Sequence, residues 1–353
     1  MDNQFWFDLS VREINLKILV INIKFLGDLI VSSPGIRSLR KSYPDSEIVL
    51  LVRKGLEPVY KNNPYINRII TFDSKLKGNS NIKKIFSGFR FIKELRKEKF
   101  DTVIVLHPGD RTAFWAWFSG AKKRIAPRKQ SFSFLFNYKV EIEEDSISYL
   151  DYYNKIIEEN NVVIDSDGTE IFFNEDDKNW SDNFLEKNHI LSTNILIGIH
   201  PGASEPSKIW KVENFIELIN KFLLKPEIRI IIFEGPQDKL VCSVFKQELK
   251  EQSNVLFVNE DILKVAALIH KCKLFISHDT GTRHLAVAVK TPVLALIPED
   301  YEKCWNFYSE VHNHFTIFGK RNLLVSESNH KPFLNNIEVE KVFTRANELL
   351  KLC

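Results

Sequence analysis

The stretch KILVINIKFLGDLIVSSPGIRSLRKSYPDSEIVLLV, residues 17–52, decides the fold. Its opening run, Lys17–Ile23, is apolar and β-branched, as a buried strand is. Residues Asp28–Ser42 then space apolar side chains as a helix does, with Pro34 near the start, where proline is tolerated. Glu47–Val52 is a second apolar run. Strand, helix and strand in this order form a parallel βαβ unit, whose helix covers one face of the sheet.

The alternation continues outward. Strands are expected at Arg68–Phe72 and Asp101–Leu106, with a helix at Ile82–Glu98. In the second half, strands fit Ile195–Ile199, Ile228–Phe233, Val255–Val258, Leu274–Ser277 and Val293–Leu296. Helices fit Val212–Leu223, Lys239–Glu251, Ile262–Lys271 and Thr282–Val289. Each half therefore reads as its own open α/β sheet, and two facing sheets leave a cleft at the C-terminal ends of their strands. The expected domains are 1–180 and 181–335, joined through the acidic stretch Asp165–Asp182. A terminal helix in 336–353 is placed to pack back on the N-terminal domain.

With 353 residues, 44% hydrophobic and 27% charged, the chain has the composition of a globular protein and the length of about two domains. That excludes disordered, collagenous and coiled-coil classes. No apolar run reaches the roughly 18–20 residues of a membrane span. The N-terminus, MDNQFWFDLSVREINLK, lacks the basic-then-apolar pattern of a secretory signal. Cys242, Cys272, Cys304 and Cys353 show no metal-ligand spacing, so reduced thiols and a cytoplasmic location are expected. The formal net charge of +3 hides a split. Residues 1–140 hold 26 Lys+Arg against 12 Asp+Glu, whereas residues 141–353 hold 23 against 34. The basic half suits an anionic partner such as a phosphorylated glycan or a membrane surface. Nucleic acid is disfavoured, because no nucleic-acid motif accompanies the charge.

Three strand-to-helix loops carry the polar chemistry. In the first, Gly27 permits a tight turn or close ligand approach, and Asp28 stands where the helix begins. Asp28 is either a helix cap or a general base over the cleft. In the second, His200-Pro201-Gly202-Ala203-Ser204 offers backbone amides and a hydroxyl, followed by Lys208 and Trp210. Amides and an ammonium both suit a phosphate, and Trp210 suits packing equally well. In the third, Asp279-Thr280-Gly281-Thr282 leads from a strand into a helix carrying His284. A glycine turn at a helix N-terminus favours a diphosphate. A further turn holds Glu234 and Asp238, either of which suits a ribose diol. Asp165-Ser166-Asp167 is a DxD that follows no apolar strand and reads as a solvated turn, so no metal dependence is expected.

Together these loops resemble the bacterial heptosyltransferases, glycosyltransferases of the GT-B fold. The resemblance lies in ILVINIKFLGDLIVSSPGIRSLRKSYPDSEI, IGIHPGASEPSKIWKVENF and FISHDTGTRHLAVAVKTPVLAL. It is weaker at FDTVIVLHPGDRTAFWAWFSGAKKRIA. It implies an α/β protein of two facing Rossmann-like domains and an inverting, metal-independent transfer without a cofactor. The implied donor is ADP-heptose, and the implied acceptor is a lipopolysaccharide core, an anionic glycolipid. By position, Asp28 would be the base. Ser204, Lys208, Asp279, Thr280, Gly281 and His284 would bind the donor, with Glu234 or Asp238 at its ribose. Lys24, Arg53, Lys54 and Arg111 are acceptor-side candidates, along with Lys83 and Lys84. Peripheral contact with the inner membrane is also implied, and Phe5, Trp6, Phe7 and Leu9 could touch it or pack on the domain. Asn22, His107-Pro108-Gly109-Asp110 and Arg283 depart from the family's pattern. The alternatives are another donor or a protein acceptor, and a non-catalytic sugar-nucleotide binder. A nicotinamide dehydrogenase fits poorly, since no GxGxxG follows a strand.

Overall fold

A computed structural model describes residues 15–73, 81–143, 147–165, 167–203, 205, 208–305, 307, 308, 313–320 and 333–352. The first domain holds β1 (Lys17–Ile21), α1 (Leu26–Val31), α2 (Ser33–Ser42), β2 (Glu47–Arg53), β3 (Arg68–Phe72) and α3 (Asn81–Lys97). It continues with β4 (Thr102–Val105), α4 (Asp110–Phe118), β5 (Lys123–Pro127), β6 (Tyr138–Val140) and α5 (Tyr149–Glu158). The second holds α6 (Glu175–Lys187), β7 (Ile195–His200), α7 (Val212–Leu223), β8 (Ile228–Phe233), α8 (Lys239–Glu248), β9 (Val255–Val258) and α9 (Ile262–His270). It closes with β10 (Leu274–His278), α10 (Gly281–Ala288), β11 (Val293–Pro298), α11 (Glu302–Trp305), β12 (His314–Gly319) and α12 (Val339–Leu352).

Both sheets are parallel, in the orders β3-β2-β1-β4-β5-β6 and β12-β11-β10-β7-β8-β9. Counted from its own first strand, each runs 3-2-1-4-5-6, a doubly wound order. Its switch point, where connections leave in opposite directions, opens a ligand crevice beyond the strand ends. The crevices follow β1 and β4 in one domain and β7 and β10 in the other. The strands are apolar on both sides because both faces are covered. Ile18, Val20, Leu50 and Ile104 join one core, while Leu19, Ile21, Leu51 and Val105 join another.

The helix expected over Asp28–Ser42 is two helices that meet at Ser32. Pro34 cannot donate to the carbonyl of Ile30. The Ser33 hydroxyl donates to that carbonyl instead, at 2.7 Å.

The acidic connection is no solvated turn at its N-terminal end. Asp165 and Glu170 both pair with the buried Arg37 of α2, and Lys41 adds a second cation to Asp165. Arg37 beside it holds the Asp165 carboxyl down to about 2. The changeover between domains is abrupt. Phe172 packs edge-on against Tyr65 of the first domain, and Phe173 packs against His270 of the second. A boundary at 180 would cut α6, which caps its own N-terminus through Asn174 and Asp177. The boundary therefore falls before α6. The terminal helix also differs from expectation. α12 lies on α7 of the second domain, where Phe343 meets Phe222 and Lys221 pairs with Glu340. Its apolar face, Val342, Ala346 and Leu349, completes that core and not the N-terminal one.

Candidate active site

The two crevices meet where α1 faces α10. Gly27 and Gly281 make this approach possible. A Cβ on Gly27 would lie 2.8 Å from Cδ2 of His284, and one on Gly281 would lie 2.9 Å from Cβ of Leu26. Both glycines therefore serve a close contact between domains, and two helix N-termini, both electropositive, end beside one another.

On the first domain's rim, Asp28 is the third residue of α1 and only 4% exposed. It is not the N-cap residue, which is Phe25. Its Oδ2 accepts the Phe25 backbone N–H at 3.3 Å, and its Oδ1 accepts the Tyr153 hydroxyl at 2.6 Å. Burial, with the Asp28 charge beside it, pushes the Tyr153 hydroxyl well above its ordinary pKa, so it stays a donor. Asn22 is fully buried and holds this loop from within, donating to the Asp28 carbonyl and to the Ser32 hydroxyl.

Beside Tyr153 lies a cavity of about 140 Å³ lined by Lys24, His107, Tyr149, Tyr152 and Cys304, among others. Burial, helped by the charges of Lys24 and Arg53, lowers the His107 pKa to about 4, so the imidazole is neutral. Lys24 and Arg53 thus share one electropositive end of the sheet with His107. Arg111 lies over the Phe72 ring at 4.8 Å, while Lys54 points to Asp73 at 3.7 Å. The side chains of Lys83 and Lys84, together with Ser204, Phe5, Trp6, Phe7 and Leu9, fall outside the described residues.

On the opposite rim, Lys208 and Asp279 are buried and joined at 3.2 Å. The other Asp279 oxygen meets the fully buried Arg283 at 2.8 Å. Glu205 also approaches Lys208, at 3.7 Å, and accepts the Tyr301 hydroxyl at 2.8 Å, while Lys208 lies 3.9 Å from the Tyr301 ring centre. The loop carrying Lys208 is fixed by histidines. The Trp210 N–H donates to Nε2 of His278, so Nδ1 of His278 carries the proton and donates to the Gly202 carbonyl. Burial lowers the His278 pKa to about 4, which keeps that arrangement neutral. Trp210 is a packing anchor, its indole donating to the Ile337 carbonyl at 3.0 Å.

His284 is buried among Trp305, Phe307 and Tyr308. Arg283 can only donate, so Nε2 of His284 accepts and Nδ1 donates to the Tyr308 oxygen at 3.1 Å. Tyr308 in turn reaches Thr169 of the domain connection at 3.2 Å. Burial and the Arg283 charge hold the His284 pKa well below its ordinary value, so His284 is a neutral link between domains. Thr280 caps α10 by position, its hydroxyl meeting that of Thr282 at 2.8 Å. Glu234 is taken up by Lys246 at 2.6 Å. Asp238 accepts the Gly235 N–H and lies against Gly202, where any Cβ would collide with it.

Tyr153, Tyr301 and Tyr308 are the site residues that sequence reasoning misses. Only the tyrosine-rich YLDYY of α5 hints at one of them, because their partners are distant in sequence. Among the described residues, no group of three or more His, Cys, Asp or Glu side chains is disposed to hold a metal ion. Likewise, no helix among them is long and apolar enough to cross a membrane.

Two doubly wound domains with a polar cleft at facing switch points define a GT-B architecture. The model of glycosyltransferase family 9 (heptosyltransferase) matches residues 88–332. The chain belongs to this family and is a glycosyltransferase. It is 24% identical over 344 residues to lipopolysaccharide heptosyltransferase 3 of Escherichia coli K12, covering 93% of this chain and 96% of that protein. The solved family 9 glycosyltransferase of Veillonella parvula superposes with a TM-score of 0.81 at 23% identity, over 96% of this chain and 98% of that one. The E. coli ADP-heptose lipopolysaccharide heptosyltransferase II superposes at 0.78 with 21% identity, over 96% and 99%. At these identities the superpositions speak for the fold.

Proposed function

We propose that the protein transfers heptose from ADP-heptose to a lipopolysaccharide core acceptor with inversion at the anomeric carbon. The observation that carries this reading is the meeting of α1, which bears Asp28, with α10, whose rim holds the Lys208, Asp279 and Arg283 cluster. In the proposed step, Asp28 takes the proton of an acceptor hydroxyl. That oxygen bonds to the anomeric carbon as the bond to the diphosphate oxygen breaks. Lys208, Arg283 and the N-terminus of α10, with the Thr280 and Gly281 amides, stabilise the charge that develops on the departing ADP. With those groups supplying the positive charge, the step as written uses no metal.

Asp279 is assigned to hold Lys208 and Arg283 in place, and His284 to hold the domains in register. Glu234, held by Lys246, and Asp238, held by the Gly235 N–H, remain the two ribose candidates. Lys24 lines the cavity and the Arg53 charge acts on its His107, so an anionic, lipid-linked acceptor fits that side. The names of the relatives, lipopolysaccharide heptosyltransferase 3 and ADP-heptose lipopolysaccharide heptosyltransferase II, support the choice of donor and acceptor.

Calorimetric titration in EDTA with ADP-heptose, ADP, UDP and GDP tests the donor. Binding confined to the adenine nucleotides supports the proposal, and preference for another base overturns its donor. Turnover with a core-glycolipid acceptor, read by the anomeric configuration of the product, tests the reaction and its inversion.

A further inference from the structure

We infer that the face built by α4, the 3₁₀ turn Ser133–Leu135 and β6 docks on an anionic lipid bilayer. Residues 111–140 hold seven Lys+Arg, no Asp or Glu, and eight aromatic side chains. Thr112, Ala113, Trp115 and Ala116 turn α4's inner face into the core. The opposite face is also apolar, with Phe114, Trp117 at 46% and Phe118 at 42% exposure. A helix apolar on both faces has one face without its natural cover.

The exposed rings form one patch. Phe114 stacks with Phe118 at 6.3 Å and meets Phe132 at 4.9 Å, and Phe132 meets Phe134 at 6.1 Å. Phe134 is 72% exposed. Phe132 has a left-handed backbone, φ 56 and ψ 33, which is unfavourable for a bulky residue yet is kept in a surface turn.

Cations surround the rings. The Arg124 guanidinium lies 5.1 Å from the Trp117 ring, and Lys123 lies 4.7 Å from the Tyr138 ring. Lys122 and Lys129 are exposed, and Arg128 pairs with Glu141. Aromatic side chains seated at headgroup depth, with cations beside lipid phosphates, is the pattern an anionic interface binds. Asp110 at the start of α4 and Glu141, paired with Arg128, are carboxylates at the margin of the patch, and the excess of cations suits a uniformly anionic sheet better than a protein surface of mixed charge.

The loop bearing Phe132 and Phe134 leaves the C-terminal end of β5, the sheet edge that also carries Lys24 and His107. The turn then runs back to the start of β5, where Arg124 donates to the Leu135 carbonyl. A docked bilayer would supply the lipid-linked acceptor, a purpose that rests on the reading proposed above. The docking itself is tested without acceptor, by sedimentation with vesicles of phosphatidylcholine alone or enriched in phosphatidylglycerol. Full-length protein should bind the anionic vesicles and be released by high salt. The double variants Trp117→Ser/Phe134→Ser and Lys122→Glu/Lys129→Glu should each bind about tenfold more weakly. Their circular dichroism and donor binding should be unchanged. Failure of the unaltered protein to bind, or full binding by both variants, overturns the inference. So does sedimentation velocity showing that the aromatic variant breaks a dimer, since the face would then cover a second copy. Vesicle binding without sugar transfer would leave docking standing and sink the transferase reading, while transfer to a soluble acceptor without vesicle binding would do the reverse.

Discussion

The two rims of the cleft each present a buried aspartate just beyond a switch-point strand, and the two are held in opposite ways. Asp28 is held by neutral donors, the Tyr153 hydroxyl and the Phe25 N–H. Asp279 is ion-paired through both oxygens, to Lys208 and Arg283. The first carboxylate has no cation among its described partners, which suits the role of base proposed for it. The second is spent on anchoring the groups around it. One residue type, inside the first turn of α1 and on the turn before α10, thus meets two different environments, and the neighbours decide which proposed role suits each.

The sharpest way to break this contrast is Asp28→Asn. Turnover should fall by about 10²–10⁴-fold with donor binding intact by calorimetry. An active Asp28→Asn enzyme would leave Asp28 as a helix-stabilising residue only. Asp279→Asn should do the converse and strike stability, because it strands two buried cations. A loss of about 3–5 kcal/mol in denaturant unfolding is expected, and an unchanged midpoint would show that the trio is not an anchor.

Acid should weaken both rims, since His107 on the first, like His278 on the second, has its pKa lowered to about 4. Burial lowers the pKa of His278 to about 4, and lowers those of His200 and His284 as well. The unfolded chain therefore takes up protons first. Stability is complete above the ordinary histidine pKa of about 6.5 and falls as the pH drops from there toward 4, by roughly 3 kcal/mol from His278 alone. A melting temperature flat across that window would contradict the neutral assignment. The smallest effect is Tyr153→Phe, which removes one hydrogen bond from Asp28 at about 1 kcal/mol. It should lower kcat several-fold and move the acidic limb of the pH–rate profile, which a purely packing role for Tyr153 would not do.

Much of the fold is legible in the sequence where periodicity is clean. Arg68–Phe72, Ile228–Phe233, Val255–Val258 and Val212–Leu223 fall where the apolar runs and spacing put them. α4 gives no such signal, since DRTAFWAWF is apolar around most of its circumference and has no helical stripe to count. β12 is equally hidden, its HFTIFG mixing polar and apolar residues at an edge. Within the site, loop residues such as Asp28, Lys208 and Asp279 are visible because glycine turns and helix starts mark them. What the pattern cannot convey is who holds whom. Tyr153 lies 125 positions from Asp28, and Lys208 lies 71 from Asp279. Nothing local in either segment requires the other. Gly27 and Gly281 are legible as special positions, but the demand on them comes from the facing domain and not from a turn.

The pair Phe172 and Phe173 has a consequence for building hybrids of this protein with its relatives. One ring of the pair packs on each domain, so the junction between them is a natural splice point. A chimera spliced there keeps the Arg37 clamp with the first parent and all of α6 with the second. Spliced at 180, the same exchange would graft half a helix onto a foreign surface.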